Sequence, residues 1–368
     1  MSPQMGKVIF FMGVGKPLEL REFPVPDKLE PRAILVKISL ATVCGSDMHT
    51  WKGRRPFPTP SVLGHEAVGT IDRLGSDVDR DTAGKPISVG DRITWTIMSS
   101  CGVCYFCKIR GLPQKCLKLF KYGHVKSDVP PYFTGTFGQY VYIKPGTGVF
   151  KLPEELSDKV ASPLMCAAAT VAGGLKRIGV GFGDNIVIQG AGMLGLYAGA
   201  FAKEMGAKQV IMIDILEERL QKAKEFGAEH CLNAQKFSSE DLVEEVKKLT
   251  DGFGADVVVE VAGFAKVIQL GVKMLGTGGR YLIQGAVYPN DDFTIDSHDV
   301  IVKCLTLSGL HNYDAADLGL ALDIVKVSRN KYPFGELAGP EFPLTVEGVT
   351  AALKALEKRE AIRPIITM

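Results

Sequence analysis

The 368-residue sequence lacks a strong charge of either sign. Its 43 basic and 41 acidic residues leave a net charge of +2 at pH 7, which excludes the broad electrostatic field with which proteins attract nucleic acids or anionic membranes. The sequence also lacks an apolar run long enough to cross a membrane, and its first residues show no signal-peptide pattern. These absences predict a cytoplasmic protein with no nucleic-acid or membrane partner.

Internal repeats and low-complexity tracts are absent as well, which argues against a solenoid or a disordered chain. A hydrophobic content of 46% and a charged content of 23% are typical of a globular protein. Because single cores seldom grow beyond about 250–300 residues, a chain of this length is expected to form two domains.

The sequence contains two kinds of hydrophobic pattern, which mark different regions of the chain. Residues 1–157 contain short β-branched runs interrupted by proline and glycine, which predict an irregular, mainly β domain. Residues 158–309 alternate apolar strands such as NIVIQG with helical segments such as EERLQKAKEFGA, and this alternation predicts an α/β domain with a doubly wound parallel sheet. In residues 310–368 the hydrophobic pattern is mixed again, and a helix and a final short strand are expected.

A glycine-rich turn follows the predicted strand NIVIQ. Gly190 allows a tight turn, Gly192 lets the backbone approach a pyrophosphate, and Gly195 lets the following helix pack closely on its strand. The next predicted strand ends in Asp214, where a carboxylate would bind the adenosine ribose and repel a 2′-phosphate. The pattern favours NAD over NADP as the cofactor, although Asp214 taken alone could also cap the next helix.

Four of the eight cysteines lie within sixteen residues, at Cys101, Cys104, Cys107 and Cys116. Cytosolic thiols are kept reduced, so clustered cysteines there bind metal or do chemistry more often than they form disulfides. Four thiolates with two, two and eight intervening residues can surround one ion tetrahedrally, and zinc fits this ligand set better than an iron–sulfur cluster, since nothing else indicates electron transfer. Because no position would remain open, this zinc is predicted to be structural.

A second set of possible metal ligands and their neighbours is scattered over three segments. The segments CGSDMHTW, GHE and MCAAAT contribute Cys44, Ser46, Asp47, His49, His65, Glu66, Cys166 and Thr170. Each segment alone carries little information, because a single cysteine is usually a small buried hydrophobe. Three nitrogen or sulfur ligands with an open fourth position would form a catalytic zinc, which polarises a carbonyl and lowers the pKa of a bound alcohol or water.

The segments CGSDMH, LGHEAVG, VGDRI, the four-cysteine loop, GAGMLG, VIMID and IRPIITM, in this order, resemble those of the zinc-dependent alcohol dehydrogenases of the medium-chain dehydrogenase/reductase family. The resemblance covers nearly the whole chain. It implies a GroES-like, mainly β catalytic domain from residues 1–157 and 310–368, and a Rossmann NAD-binding domain from residues 158–309. It also implies a homodimer or homotetramer joined at the edge of the Rossmann sheet, to which the segment KCLTLSGL would contribute a strand.

The resemblance assigns metal-site roles residue by residue. Cys44, His65 and Cys166 correspond to the ligands of the catalytic zinc, and Glu66 to a carboxylate that can exchange onto that ion. Asp47 corresponds to the group that orients His65. The four clustered cysteines correspond to the structural-zinc loop, which gives two zinc ions per chain. Their last gap is one residue longer than in the common pattern, and this implies a bulge near GLPQK.

Proton transfer and cofactor binding are assigned in the same way. Ser46 and His49 correspond to a relay that passes the substrate proton to solvent, and His49 suits this role because the unperturbed pKa of histidine lies near neutrality. The implied cofactor contacts are Gly190, Gly192, Met193, Leu194, Gly195, Asp214, Thr170, Arg219 and Arg363.

The implied reaction is hydride transfer between NAD and an alcohol, or the corresponding aldehyde or ketone. A polyol or amino-alcohol dehydrogenase is the main alternative, because CGSDMHTW is also similar to the sorbitol and threonine dehydrogenase versions of the motif. A zinc-ribbon module that binds nucleic acid is a non-enzymatic alternative, which the near-neutral charge disfavours. Lys121, His124 and Lys126 could favour an anionic substrate, but basic residues in a predicted loop are more often solvated surface.

Overall fold

The computed structural model describes residues 3–285 and 292–368. Within them the chain divides into two compact units. The first unit contains the residues up to Cys166 together with residues 314–322 and 334–368, and the second contains residues 167–313 and 323–333. None of the helices in these described ranges is both long enough and apolar enough to span a membrane.

The unit bounds differ from the predicted domain bounds in two places. Residues 158–166 belong to the first unit, because the two short helical turns that they form pack on its strands. Residues 310–313 and 323–333 belong to the second unit, where the ring of Tyr332 stacks on that of Phe226.

The first unit is built mainly from β-strands, as the sequence predicts. Up to Cys166 its strands are β1 (Met5–Phe11), β2 (Glu19–Pro24), β3 (Ile34–Thr42), β4 (Ser61–Val62), β5 (Glu66–Leu74), β6 (Arg92–Ser99), β7 (Phe120–Lys121), β8 (Tyr140–Ile143) and β9 (Thr147–Lys151). Its helical elements over the same stretch are α1 (Gly45–Trp51), α2 (Tyr105–Lys108), α3 (Asp158–Ala161) and the 3-10 turns Pro113–Lys115 and Ser162–Met165.

The core of this unit follows from the two-residue period of its strands. Val8 and Phe10 lie on one face of β1 because alternate side chains of a strand point the same way. They pack with Leu35, Phe133 and Tyr140 in one buried cluster. Burial of such apolar side chains is the main free-energy gain that holds the irregular strands together.

The second unit alternates strands and helices and confirms the predicted doubly wound α/β architecture. Its elements are α4 (Ala167–Ile178), β10 (Asn185–Gln189), α5 (Met193–Glu204), β11 (Gln209–Asp214), α6 (Glu217–Lys224), β12 (His230–Asn233), the 3-10 turn Ala234–Lys236, α7 (Ser239–Leu249), β13 (Ala255–Glu260), α8 (Ala265–Met274), β14 (Leu275–Ile283), α9 (Ser297–Val302) and β15 (Thr306–Gly309). Val187, Ile211, Val258 and Tyr281 are among the residues that form its buried core.

Over the described part of the chain, the strands of the second unit form one parallel sheet in the order β12-β11-β10-β13-β14-β15. The chain winds outward in one direction from β10 to β12 and in the other from β13 to β15. In sheets of this kind ligands bind at the switch point between the two directions, outside the carboxyl ends of the strands. Gly190 directly follows β10 and therefore lies at this point.

The remaining elements are α10 (Ala315–Ser328), the 3-10 turn Phe334–Leu337, β16 (Glu341–Pro343), α11 (Val346–Glu357) and β17 (Ile365–Thr367). Among the described residues, the larger sheet of the first unit has the order β16-β17-β3-β5-β6-β7, with β8 also on β3 and β9 on β6, and a smaller sheet has the order β2-β1-β4. Ile365 lies opposite Thr42, and Thr42 lies opposite Glu66. This register brings the end of the chain beside the residues that follow β3 and begin β5.

Candidate metal centres and active site

The four clustered cysteines lie on the loop between β6 and β7. Their sulfur atoms all lie within 4.8 Å of one another, and the sulfur of Cys104 is 3.5 Å from that of Cys107 and 3.9 Å from that of Cys116. Zinc at about 2.3 Å from four tetrahedral sulfurs requires sulfur–sulfur distances of about 3.8 Å. The loop therefore fits this ion, and the segment GLPQK, where a bulge is expected, forms the 3-10 turn Pro113–Lys115.

The electrostatics of this loop also favour a bound cation. Backbone N–H groups of Leu117 and Cys107 lower the pKa of the Cys104 thiol to about 6. Burial and the neighbouring Cys104 and Cys116 thiols raise the pKa of Cys107 to about 12. Four thiols at this separation cannot all ionise unless a cation lies between them, so the opposite shifts fit a site that holds a metal ion.

The second cluster joins residues from three separate parts of the first unit. Cys44 immediately precedes α1, His65 immediately precedes Glu66 at the start of β5, and Cys166 follows the turn Ser162–Met165. One ligand atom from each of these four residues lies within 4.8 Å of the others. Cys44, His65 and Glu66 are at most 8% exposed. Cys166 is partly exposed. A set of two sulfurs, one nitrogen and one carboxylate is suited to zinc.

Asp47 connects the parts of this cluster. Its Oδ2 accepts the N–H of Cys44 at 2.9 Å, and its Oδ1 accepts the N–H of Gly64 at 3.2 Å. The same Oδ1 lies 3.2 Å from His65 Nδ1. Asp47 is thus placed on the side of the imidazole that faces away from Nε2, which is the position that its predicted orienting role requires.

Glu66 faces a buried arginine, which sequence reasoning did not foresee. Arg363 is 3% exposed, and its Nε lies 3.4 Å from Glu66 Oε2. Thr42 Oγ1 donates a hydrogen bond to the same oxygen at 2.7 Å. Glu66 Oε1 has no hydrogen-bond partner among the described residues. A buried carboxylate oxygen without a partner fits a site completed by a cation. The predicted contact of Arg363 with the cofactor stays a prediction.

The thiols of the cluster share one proton, and the imidazole holds another. A hydrogen bond from Cys166 lowers the pKa of Cys44 well below its ordinary value, while that of Cys166 is raised by the same bond. Burial acts to lower the pKa of His65, but the charges of Asp47 and Cys44 raise it to about 10. The cluster therefore attracts positive charge strongly, and a metal ion can take the place of the protons.

Ser46 and His49 lie three residues apart on α1, so that they share one side of the helix. Ser46 Oγ lies 3.4 Å from His65 Nε2. His49 Nδ1 accepts a hydrogen bond from Arg54 Nη1 at 3.0 Å. Burial and the Arg54 charge lower the pKa of His49. The structure thus places both residues beside the cluster, and their action as a relay stays a prediction.

The predicted cofactor turn has the backbone that its glycines require. Gly190 has φ +109°, in the region that only glycine adopts readily. A Cβ on Gly195 would lie 1.8 Å from the carbonyl oxygen of Gly190, so no side chain fits there. Helix α5 begins at Met193, and the N–H groups of its first turn, including that of Leu194, lack helical partners and suit an anion.

Asp214 bonds both to the glycine turn and to the start of the next segment. Its Oδ2 accepts the N–H of Ala191 at 2.7 Å, and its Oδ1 accepts those of Ile215 and Leu216 at 2.7 and 3.0 Å. These acceptors stop before α6, whose N-cap residue Leu216 has no side-chain cap bond, so Asp214 bonds to the glycine turn without capping the next helix. Arg219 Nη1 lies 4.0 Å from where a Cβ on Gly192 would be.

Thr170 lies on α4, where its carbonyl oxygen accepts a hydrogen bond from Gln284 Nε2 at 2.7 Å. This contact does not bear on a dinucleotide. The assignments of Thr170 and of the other cofactor contacts stay predictions.

Basic residues also surround His65, and the sequence gives only a weak signal for them. Arg55 Nη2 donates to His124 Nε2 at 3.0 Å, and the ring of His124 lies edge-on to that of His65 with centroids 5.1 Å apart. The expectation of a solvated surface is wrong for Lys121 and His124, which are only partly exposed and whose pKa values are lowered by burial. It is right for Lys126, which is exposed and pairs with a neighbouring aspartate at 2.5 Å.

Similarity to known proteins agrees with this geometry. Residues 30–154 match the family described as alcohol dehydrogenase GroES-like domain, and residues 194–326 match the family described as zinc-binding dehydrogenase. The chain is 30% identical to 5-exo-hydroxycamphor dehydrogenase of Pseudomonas putida over 358 residues, which cover 95% of each protein. It is also 30% identical to sorbitol dehydrogenase of Halalkalibacterium halodurans, over 94% of this chain and 95% of the relative.

Among solved structures, an alcohol dehydrogenase from Thermotoga maritima superposes with a TM-score of 0.93 at 30% identity and covers 99% of both chains. The relatives extend over both units, and the family matches include both the mainly β unit and the parallel-sheet unit. The chain therefore belongs to the zinc-dependent alcohol dehydrogenases of the medium-chain dehydrogenase/reductase family, and it is an oxidoreductase of the alcohol and polyol dehydrogenase type.

Proposed function

We propose that this dehydrogenase uses NAD and a catalytic zinc to interconvert an alcohol with its aldehyde or ketone. The observation that carries the proposal is that Cys44, His65 and Cys166 meet beside Glu66 in a largely buried cluster, with ligand atoms within 4.8 Å of one another. Zinc held there would polarise the substrate oxygen, and NAD would exchange the hydride.

The residues of the chain supply orientation and proton transfer. Asp47, 3.2 Å from His65 Nδ1, fixes the imidazole so that Nε2 points toward the thiols. The Ser46 hydroxyl, 3.4 Å from His65 Nε2, takes the proton that the substrate hydroxyl releases. His49, with its pKa lowered by burial, is neutral at pH 7. It accepts the proton from the side of Ser46 and releases it to solvent.

The proposal includes two zinc ions per chain, the second being held by the four-cysteine loop in a structural role. Elemental analysis of zinc-replete protein tests this directly, with two equivalents per chain expected. A chelator that removes the ion of the Cys44 cluster should abolish turnover, and zinc should restore it. A single equivalent, or activity that persists in metal-free protein, would refute the assignment.

The preference for NAD is proposed on the position of Asp214. Its carboxylate lies at the end of β11 and accepts the N–H of Ala191 in the glycine turn, where it would face a ribose and repel a 2′-phosphate. The change Asp214→Ala should lower the NAD-to-NADP ratio of kcat/KM by at least about tenfold. This ratio does not depend on how much of the enzyme is folded. Asp251→Ala, at an exposed pair with Lys208, is the control and should leave the ratio unchanged.

A polyol substrate is the second candidate, and the similarity to sorbitol dehydrogenase supports it. A panel of simple, cyclic, aromatic and poly-alcohols, each tested with NAD, separates the two. Higher kcat/KM for polyols than for every monohydric alcohol would favour the second candidate.

Assembly and location are also proposed. Strand β15 pairs with β14 and forms one edge of the parallel sheet as far as the structure describes it, and Ile301 and Val302 shortly before it are 73% and 60% exposed. A sheet edge next to exposed apolar side chains of α9 is suited to pairing with a second copy, so light scattering should give a dimer or tetramer. The free cysteines, among them every proposed thiol ligand, suit a reducing cytoplasm.

A further inference from the structure

One buried carboxylate of the second unit has no part in the proposed reaction. Glu260 is the last residue of β13, which lies between β10 and β14 in the sheet, and it is fully buried. The other buried side chains of β13 are apolar, most of them valine. A buried carboxylate costs free energy unless hydrogen bonds compensate for the lost water, so the partners of Glu260 indicate its role.

The Glu260 carboxylate binds backbone N–H groups of two different segments. Its Oε1 accepts the N–H of Gly263 at 2.5 Å, in the segment that follows β13. Its Oε2 accepts the N–H of Gly285 at 3.0 Å, just after β14, and this N–H also lies 3.0 Å from the carbonyl oxygen of Glu260. Hydrogen bonds to an ionised acceptor are stronger than those between neutral groups. The side chain therefore ties the carboxyl ends of two neighbouring strands together.

The two segments also touch through their backbones. A Cβ on Gly285 would lie 2.6 Å from the nitrogen of Gly263 and 2.7 Å from Glu260 Oε1. Gly263 has φ +83°, in the region that favours glycine. A side chain at position 285 would therefore push the segments apart and displace the carboxylate. We call these three residues, Glu260, Gly263 and Gly285, the Glu260 clamp.

The segment that the Glu260 clamp holds packs against the predicted cofactor turn. A Cβ on Gly190 would lie 2.9 Å from the Cα of Ala262. The N–H of Val261 donates to the carbonyl oxygen of Gln189 at 3.0 Å. Both contacts involve the two residues that directly follow β13. The clamp thus links the glycine turn after β10 to the carboxyl end of β14.

This position relates the Glu260 clamp to both halves of a dinucleotide. A doubly wound sheet of this kind consists of two mononucleotide-binding halves, and the cofactor lies across the switch point between them. The glycine turn and Asp214 belong to the half with β10, β11 and β12, which would take the adenosine. The half with β13, β14 and β15 would take the nicotinamide mononucleotide.

We propose that Glu260 is a positioning residue for the dinucleotide, which fixes the end of β14 relative to the glycine turn and thereby orients the nicotinamide half of the cofactor. The inference rests on the proposed function, since it requires a dinucleotide at the glycine turn. Glu260 acts through the backbone of Gly263 and Gly285, and it takes no part in hydride or proton transfer.

Asp256, near the opposite end of β13, provides a matched control. Its Oδ2 accepts the backbone N–H of Asn185 at 2.7 Å and the side-chain Nδ2 of the same residue at 2.9 Å. It therefore also ties two neighbouring strands together, but at their amino ends, away from the glycine turn. Asp256→Asn and Glu260→Gln each replace one carboxylate oxygen with an amide nitrogen. An effect that Glu260→Gln alone shows reports its position at the cofactor turn and not a general loosening of the sheet.

The first experiment measures the affinities of NADH and ADP-ribose for zinc-loaded protein by titration calorimetry. ADP-ribose keeps the adenosine and the pyrophosphate but lacks the nicotinamide, so the ratio of the two affinities reports the nicotinamide. Glu260→Gln should weaken NADH binding about tenfold, the magnitude of a hydrogen bond to a charged group, and ADP-ribose binding less than about threefold. Asp256→Asn should keep the wild-type ratio. If NADPH binds more tightly than NADH, NADPH and 2′-phospho-ADP-ribose form the pair.

A second variant disturbs the Glu260 clamp from its other side. Gly285→Ala keeps the carboxylate but places a Cβ against it, so the affinity ratio should shift in the same direction as in Glu260→Gln. Amide hydrogen exchange at Gly263 should be faster in Glu260→Gln and unchanged in Asp256→Asn. Far-ultraviolet circular dichroism and zinc content confirm that each variant is folded and loaded. The inference is overturned if Glu260→Gln weakens both ligands equally or neither, or if Asp256→Asn shifts the ratio as much.

Comparison with turnover separates this inference from the proposed function. If the affinity ratio depends on Glu260 but no alcohol is oxidised, the proposed function fails and the inference stands. If alcohols are oxidised with NAD but the ratio is the same in Glu260→Gln, the inference fails and the proposed function stands. If neither NADH nor NADPH binds, the inference is overturned together with the cofactor assignment.

Discussion

The two cysteine-containing clusters differ in how the chain assembles them and in what surrounds their charge. The four-cysteine loop takes every ligand from one short segment, leaves most of them partly exposed, and directs backbone N–H groups at the sulfurs. The Cys44 cluster takes its ligands from distant segments, buries all of them except Cys166, and surrounds them with the charged side chains of Asp47 and Arg363.

This difference shows that the exposure of a metal site and the openness of its coordination are separate properties. The loop near the surface has four sulfurs and leaves an ion no free position. The buried cluster has a mixed ligand set in which Glu66 and a substrate could exchange. In the proposed assignment, ligand number and type, and not depth, separate the structural site from the catalytic one.

The largest effect is expected when one ligand is removed from the Cys44 cluster, which tests the proposed difference between the two clusters. Cys166→Ser replaces a thiolate with a hydroxyl, a much poorer zinc ligand, so kcat/KM should fall by at least about 10³-fold. Zinc content should drop by one equivalent while the unfolding midpoint changes little. A variant that keeps both ions and activity within tenfold of wild type would contradict the assignment of Cys166.

A cysteine-to-serine change in the four-cysteine loop should lower stability more than activity, the reverse of Cys166→Ser. Cys104→Ser should also cost one equivalent of zinc, but it should lower the free energy of unfolding by several kcal/mol, because a structural ion contributes its binding energy to folding. Turnover per folded molecule should be nearly normal. Hydrogen exchange should show loss of protection between residues 101 and 118, and a catalytic defect without that loss would count against a structural role.

Removing the buried positive charge of Arg363 tests the charge balance of the Cys44 cluster. Arg363→Met leaves Glu66 without its charged neighbour, and breaking a buried pair on one side costs about 3 kcal/mol. Chemical denaturation of the zinc-loaded protein measures this cost. The control Lys151→Met breaks the partly exposed pair with Asp91 and should cost less than about 1 kcal/mol. Equal losses in the two variants would show that Arg363 does not balance Glu66.

The smallest expected effect concerns the edge of the cluster, at His49. Its pKa is lowered from 6.5, so the native imidazole stays neutral to more acidic pH than a free one, and wild-type activity should persist below pH 6.5 until the folded-state pKa is reached. His49→Gln should reduce kcat about tenfold at pH 6, with less effect at high pH, and added imidazole should restore part of it. The pH–rate profile measures this, and an unchanged profile would remove His49 from proton transfer.

Much of the architecture is predictable from the sequence because it rests on local patterns. The alternation of apolar strands and helices gives the parallel sheet, and the turn GAGMLG appears between β10 and α5 as expected. The four cysteines are recognisable because their spacing alone brings the sulfurs together. Each of these features depends on residues that are close in the chain.

The surroundings of the Cys44 cluster are much less predictable. Arg363 meets Glu66 only through the pairing of β17 with β3 and of β3 with β5, and no local pattern specifies that register. His124 looks like a polar loop residue, yet it follows Gly123, with φ +69°, and its ring lies 5.1 Å from that of His65. Long-range pairing and one positive-φ glycine decide these contacts, and neither is visible in charge or hydrophobicity.

The insertion of β17 between β16 and β3 has a consequence for biosynthesis. A ribosome adds about 5–20 residues per second, so Arg363 emerges roughly 10 to 40 seconds after Cys166. During that interval the four-cysteine loop has all its ligands and can already capture an ion. The thiols of Cys44 and Cys166 must wait, without the arginine that later neutralises their neighbourhood, until β17 docks. The charge environment of this cluster is thereby tied to the docking of β17.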